Sequence, residues 1–565
     1  MADISFGGTD EENAELRKLN AEVLANSDEF ESWEKLVRAA ESQEGGLNRN
    51  SSPQAIASAR NVYDRLLARF PLFFGYWKKY ADIEFSIAGT EAAEMVYERG
   101  VASITNSVDL WTNYCAFKVE TSHDSDLIRE LFERGANCVG LDFLAHPFWD
   151  KYIEFEERLE AQDRIFGILT RVIHIPMHQY ARYFERYRTL AVSRPIVELA
   201  PADVIAQLRS AIAMDPMLSG RGDAEMDREL RTRIDNYHLE IFNRTQTETT
   251  KRWTYEQEIK RPYFHVTDLD DAQLTNWRKY LDFEESEGDY QRVVFLYERC
   301  LVTAALYDEF WLRYSRWMLA QPGKEEEVRN IYQRASCLYV AIAEPLVRHQ
   351  YALFEEMTGR VDVARAIYEA ILINMPGHID TIIMLATLQL RHSGLEAAIA
   401  TYKEQIESPS LDTQTKGALV SEWARLLWKI EDLPEEARQV YQKNQHWYLD
   451  VERFWINYFM FELEQPTNSK TRSAHHARVK GVLDQVRQKS RISAQAVHLI
   501  SDHYMNYLLE RGIPNAAKER LLLDKEINGH KATEDGRPAS MNGQSGHGAG
   551  YNSTEMHRRG LSLYQ

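Results

Sequence analysis

The sequence predicts an all-α fold, a solenoid of helical-hairpin repeats in two arrays joined by a spacer helix. Three observations carry this. In Asn276–Leu301, Trp277, Tyr280, Leu281 and Glu284 stand at i, i+3, i+4 and i+7, on one helical face. After the break at Gly288, Val293, Val294, Leu296, Tyr297 and Leu301 resume the helical rhythm. The pattern then recurs along the chain: Trp111 lies 34 residues after Trp77, Trp311 lies 34 after Trp277, and Trp455 lies 32 after Trp423. The second helices recur too, as Ala59-Arg-Asn-Val-Tyr63-Asp-Arg65, Ala93-Glu-Met-Val-Tyr97-Glu-Arg99 and Val328-Arg-Asn-Ile-Tyr332-Gln-Arg334. One such hairpin cannot bury its apolar face alone and needs copies as neighbours.

Taken in order, residues 1–27 form an acidic N-terminal segment, with a short helix expected from Glu11 to Leu24. The opening Met1-Ala-Asp-Ile-Ser-Phe lacks the basic start and apolar core of a signal peptide. The N-terminal array spans 28–190. Trp33 and Leu36 open its first hairpin, Gln43–Pro53 reads as a loop, and Tyr180 takes the tryptophan position in its last unit. Residues 191–262 hold an insertion marked by Pro195, Pro201 and Pro216. A charged spacer helix follows, from about Ala224 to Ile259, with Ile234, Tyr237, Ile241 and Phe242 as its apolar positions. The C-terminal array spans 263–527. Its drifted units place Arg348 where tryptophan is expected, yet keep Tyr351, Phe354 and Glu355. Gly, Ser, His and Asn dominate 528–565, the composition of a disordered tail. The expected repeat core is Trp77, Tyr80, Trp111, Tyr114, Trp149, Tyr152, Trp277, Tyr280, Trp311, Tyr314, Trp455 and Tyr458.

The net charge of −19 over 565 residues opposes a protein that holds nucleic acid mainly through phosphates, so any RNA contact is expected to be weak or indirect. No apolar run reaches the roughly 18 residues of a membrane span. Cys115, Cys138, Cys300 and Cys337 lie far apart, which suits free thiols in a reducing compartment.

Glu84, Glu156, Glu284 and Glu462 end first helices, while Arg65, Arg99, Arg134, Arg299 and Arg334 recur in second helices. A catalytic site occurs once; residues repeated with the hairpin read as an ion pair or hydrogen bond inside each hairpin. His475 and His476 point about 100° apart on a helix, which is poor for sharing one ion, so both are expected on a solvated surface. No phosphate-binding loop, His-Glu-x-x-His or Gly-x-Ser-x-Gly is present. The expectation is no enzyme, no cofactor and no metal. Basic candidates are Lys251-Arg252, Lys260-Arg261, and a patch of Lys470, Arg472, Arg478, Lys480 and Arg487; a solvated face is the plainer reading of each. The last hairpin looks uncapped: Tyr504, Tyr507, Leu508, Leu521, Leu522 and Leu523 leave apolar surface for a second copy, unless the leucines fold back onto the preceding hairpin.

The Trp-x-x-Tyr-x-x-Phe/Ile-Glu helix followed by Ala-Arg-x-Val/Ile-Tyr-Glu-Arg is similar to the half-a-TPR repeat. The charged spacer, then Arg261-Pro-Tyr-Phe-His-Val266 and Leu274-Thr-Asn-Trp-Arg-Lys-Tyr-Leu-Asp-Phe-Glu284, resembles the pre-mRNA-processing factor 39 family across roughly 30–525. The resemblance implies a non-catalytic nuclear scaffold of the U1 small nuclear ribonucleoprotein, or one associated with it, acting when the 5′ splice site is recognised. It implies partners in the particle's C protein, its 70K protein and accessory splicing factors. It also implies dimerisation, with itself or with a related repeat protein. The alternatives are a half-a-TPR scaffold of mRNA 3′-end cleavage or another RNA-processing complex, and a direct RNA-binding protein.

Overall fold

The structure, a computed structural model, describes residues 9–214, 222–511 and 515–528. The expectations for the first eight residues, the turn before Gly222 and the tail beyond Asn528 lie outside the described residues. All regular structure within them is helical. The chain divides into two compact units, Met1–Arg360 and Val361–Gln565.

In the first unit, Asp10–Ala25 starts with a capping box: Thr9 accepts from the Glu12 amide, and the Glu12 side chain accepts from the Thr9 amide. It lays Leu16 and Val23 into the core. Hairpins follow as Phe30–Ser42 with Pro53–Arg69, Phe74–Ala88 with Thr90–Ser103, Val108–Thr121 with Ser125–Val139, and His146–Arg158 with Gln162–Val172. The Gln43–Pro53 connection opens with a 3₁₀ turn, Gln43–Gly45, and the Gln43 side chain is buried against Ser58.

The recurring tryptophan holds the start of each first helix to the loop before it. The indoles of Trp33, Trp77, Trp111 and Trp311 donate to Ser27, Pro71, Thr105 and Ala305, the carbonyls six residues upstream, at 2.8–2.9 Å. At the drifted unit, Arg348 does the same work with its guanidinium. It donates to the carbonyls of Ser336, Val340 and Ala341 at 2.6–2.9 Å. The recurring tyrosine stacks on the aromatic ring of the preceding second helix. Tyr63–Tyr80, Phe132–Tyr152 and Tyr297–Tyr314 have centroids 4.8, 4.5 and 4.5 Å apart.

The same stacking corrects one register. Phe166 stacks on Tyr187, so the tryptophan position three residues earlier belongs to Phe184, which is buried, and not to the half-buried Tyr180. Tyr180 begins its helix and packs its ring on Phe242 instead.

The long helix runs Asp223–Glu256. Its middle packs on Tyr180–Ala191 through Phe184 and Phe242, and His238 is buried between Tyr187 and the Leu199 carbonyl. Its last turns behave as a repeat's second helix. Arg252-x-x-Tyr255-Glu256 reproduces the spacing of Arg60-x-x-Tyr63-Asp64, and Tyr255 stacks on Tyr280 at 5.0 Å. Gly288, at φ +78°, ends the helix Asp271–Glu287 in the left-handed region that glycine adopts without strain. Tyr290–Thr303, Asp308–Leu319, Glu325–Arg334 and Leu346–Met357 continue the array.

The second unit contains Val361–Asn374, Ile379–Ser393, Leu395–Glu407, Thr413–Arg425, Pro434–Asn444, Glu452–Glu464, Arg472–Lys489, Ala494–Glu510 and Ala516–Asn528. Its largest core cluster is centred on Tyr441, Trp455, Tyr458 and Phe461.

Candidate functional site

Two arginine systems bind consecutive hairpins together. The first joins the glutamate near the end of a first helix to the second helix before it. Glu84, Glu156, Glu284, Glu355 and Glu462 accept paired bonds from Arg60, Arg129, Arg252, Arg329 and Arg438 at 2.5–3.3 Å. These carboxylates are almost fully buried, and forked guanidinium–carboxylate pairing satisfies both oxygens.

The second system uses the arginine two residues after the second-helix aromatic. Arg99, Arg134, Arg299 and Arg334 lie over the rings of Trp77, Trp111, Trp277 and Trp311 at 5.2–5.9 Å. They donate to Asp64, Glu98, Glu256 and Glu298 of the preceding second helix. The tyrosines of the intervening first helices share these acids: Tyr80, Tyr114 and Tyr280 donate to Asp64, Glu98 and Glu256. Arg65, at the start of the series, lies over Trp33 and donates to Asn20 of the N-terminal helix. That helix therefore supplies a polar partner where later repeats supply an acid.

The expected pairing inside each hairpin is thus corrected. The close charge pairs run between successive hairpins, because stacking brings each first helix beside the second helix preceding it; within a hairpin, Arg292 and Arg478 approach Glu284 and Glu462 at the longer distances of 3.7 and 3.5 Å. Arg252 is corrected with them: it is 2% exposed and held by Glu284, so it offers no basic contact surface. Burial works against its charge, and Glu284 outweighs this and raises its pKa.

The twelve core aromatics, from Trp77 to Tyr458, are all buried at 0–5% exposure. In the last hairpin Tyr504, Tyr507, Leu508 and Leu523 are buried within their own chain, while Leu521 and Leu522 are 69% and 60% exposed. Of the six expected interface residues, Leu521 and Leu522 are the two that remain exposed. In the basic patch, Lys470 and Arg472 are exposed, Arg478 approaches Glu462 at 3.5 Å, Lys480 pairs with Glu519 at 2.6 Å, and Arg487 pairs with Glu526. His475 is not on the surface: it is fully buried with Nδ1 2.7 Å from the Tyr507 hydroxyl, and burial lowers its pKa. His476 is half-buried beside the Tyr504 hydroxyl.

Cys115 and Cys300 are buried, Cys138 is half-buried and Cys337 is exposed; all four are free thiols. Among the described residues, no three His, Cys, Asp or Glu side chains converge as a metal site, and no helix is long and apolar enough to cross a membrane.

The Arg261–Val266 phrase has a structural role. Phe264 is buried and meets Phe73 of the second hairpin edge to face at 5.0 Å. Nearby, Arg299 joins Asp142, in the loop before His146–Arg158, to Glu256 at the end of the long helix, at 3.2 and 2.5 Å. The core of the early repeats thus extends through Leu230, Ile234 and Ile241 of the long helix to Phe264 and Ala305 within the first unit.

This recurring architecture defines a half-a-TPR repeat protein. The PRP39 N-terminal HAT repeat family matches residues 17–189, and the PRP39 C-terminal HAT repeat family matches residues 250–391, starting two residues before Arg252. Pre-mRNA-processing factor 39 of Schizosaccharomyces pombe is 51% identical over 532 residues, covering 92% of this chain and 87% of that one. The human pre-mRNA-processing factor 39 is 32% identical over 450 residues, covering 75% of this chain and 65% of its own length. The U1 small nuclear ribonucleoprotein component PRP42 of Saccharomyces cerevisiae is 23% identical over 309 residues, covering 53% and 56%. The chain belongs to the pre-mRNA-processing factor 39 family.

Proposed function

We propose that this protein is a non-catalytic nuclear scaffold in pre-mRNA splicing. It bridges the core of the U1 small nuclear ribonucleoprotein, through the C and 70K proteins, to accessory factors while the 5′ splice site is recognised. The observation that carries this reading is the relationship to pre-mRNA-processing factor 39 proteins over most of the chain, together with a relative named as a U1 component. The side-chain chemistry supports it. The recurring carboxylates and guanidiniums are engaged in joining hairpins, which leaves recognition to surfaces between and beside the repeats. RNA phosphates meet a body of net charge −19 whose basic candidates are largely paired with acids, so direct RNA contact is weak. Purification of the tagged chain from cells is expected to enrich U1 RNA and U1 proteins. Recovery of 3′-end cleavage factors in their place would contradict the reading.

The scaffold also self-associates, or pairs with a related repeat protein, through its last hairpin. Leu521 and Leu522 project into solvent on a helix whose Leu523 faces inward, and an isologous contact with a second copy covers them. Light scattering is expected to give a dimer for the wild-type chain and a monomer for the double variant Leu521→Glu/Leu522→Glu. A monomeric wild type, or a variant that remains dimeric, would place the contact elsewhere.

A further inference from the structure

The basic run that opens the helix Arg472–Lys489 meets a further arginine, Arg511, which follows the helix Ala494–Glu510. Arg511 donates from Nη1 to the Thr467 hydroxyl at 3.2 Å. The turn after Thr467 leads straight into the basic helix, where the Asn468 carbonyl accepts from the Arg472 amide at 3.0 Å. Further along that helix Arg478 approaches Glu462 at 3.5 Å, but Arg438 already donates to both oxygens of this carboxylate. His475, fully buried between Arg472 and Arg478 in sequence, stands 2.7 Å from the Tyr507 hydroxyl.

The arginines act together on these two buried groups. Burial lowers the His475 pKa, and Arg478, Arg511 and Arg438 lower it further. Burial raises the Tyr507 pKa, and Arg511, Arg478 and Arg472 oppose that rise. Yet their own charges are not balanced. The two carboxylates of the group, Glu462 and Glu435, are both bound to Arg438. Arg478 makes no hydrogen bond among the described residues, and Arg472 and Arg511 have no ion pair among them. Four guanidiniums therefore stand against two carboxylates, a surplus of two positive charges at one corner of the second unit.

We propose that this corner is a docking site for a phosphorylated serine or threonine in a segment of a protein partner, with the phosphate held among Arg472, Arg478 and Arg511. The proposal adds a contact to the scaffold reading and does not depend on it. A phosphomonoester brings close to two negative charges and three strong acceptor oxygens, which guanidinium donors bind in forked geometry. An RNA strand instead needs cations spaced along a track and exposed rings on which bases stack. Here the cations converge on one hydroxyl, and the ring that carries it, Tyr507, is 2% exposed. Glu435, exposed beside Arg438, would also repel a neighbouring phosphate of a strand. The surplus fits one isolated dianion.

The test uses the full chain and two fluorescein-labelled peptides, Gly-Ala-Pro-phosphoserine-Pro-Ala-Gly and the same peptide unphosphorylated. Fluorescence anisotropy is expected to show about tenfold or tighter binding of the phosphopeptide, the effect of charge-assisted bonds to one phosphate. Arg472→Gln/Arg511→Gln should abolish that preference. Arg472 is exposed and the side chain of Arg511 holds only a hydroxyl, so this variant should keep the wild-type Tm. Arg472→Gln alone should already reduce the preference. Arg38→Gln/Lys78→Gln, an equal loss of charge from exposed pairs in the first unit, should leave it unchanged. Equal binding of both peptides by the wild type, or a preference that survives Arg472→Gln/Arg511→Gln, would overturn the proposal. So would an oligouridine strand that binds more tightly than the phosphopeptide and is released by the same double variant. Recovery of U1 RNA with the wild-type chain reports separately on the scaffold reading, so either can fail alone.

Discussion

Glu284→Ala is expected to destabilise the first unit by about 3–5 kcal/mol, the cost of removing one partner from a buried ion pair. The variant takes from Arg252, 2% exposed, the carboxylate to which its Nε and Nη2 donate at 2.6 and 2.9 Å, and leaves it only the Glu248 carboxylate on Nη1. Arg292 stands 3.7 Å from the same carboxylate, and burial already lowers its pKa, so the second guanidinium loses its nearest anion too. Arg252→Met/Glu284→Leu removes both charges of the main pair and is expected to recover part of the loss, because a satisfied apolar contact costs less than a lone buried charge. Urea unfolding of the wild type and the two variants measures this. A single variant as stable as wild type would show that the pair does not hold the long helix to the repeats beyond it.

Trp277→Ala is expected to cost about 3–5 kcal/mol, as for other large aromatic-to-alanine changes in a packed core. Trp277 is 1% exposed, lies beside Tyr280 and is covered by Arg299, so the loss should spread to the adjoining hairpins. A finer comparison separates ring from indole. Trp311 donates to the Ala305 carbonyl at 2.8 Å, whereas the Trp277 indole nitrogen has no partner. Trp311→Phe should therefore cost about 1 kcal/mol more than Trp277→Phe, the net value of one hydrogen bond. Thermal unfolding that left Trp277→Ala at the wild-type Tm would remove Trp277 from the core.

Much of this fold was legible because its period is carried by large aromatic residues. A tryptophan and a tyrosine three residues later can share a buried face only on a helix, and their recurrence marks each hairpin. The pairing of charges was not legible in the same way. Glu84 and Arg60 are 24 residues apart, and nothing local says that a first helix leans on the second helix before it and not on its own partner. The spacer helix hid its repeat function for a related reason. Lys251-Arg252 reads as a basic surface until Tyr255 and Glu256 are aligned with Tyr63 and Asp64, and the preceding charged turns disguise that alignment. His475 was misplaced because its partner, the Tyr507 hydroxyl, lies one hairpin helix away. The join between early and later repeats was visible only as the phrase Arg261–Val266. Arg511 lies outside the basic run of Arg472–Lys489, and it joins Arg472 and Arg478 only once folding brings all three to Tyr507.

In the proposed function this chain acts by connecting the U1 particle to its partners. The most direct test is depletion of the protein from a splicing-competent nuclear extract of its own organism, followed by measurement of U1 RNA recruited to a 5′ splice-site substrate. Recruitment is expected to fall on depletion and to return when the purified wild-type chain is added back. Undiminished recruitment in the depleted extract would contradict the scaffold reading.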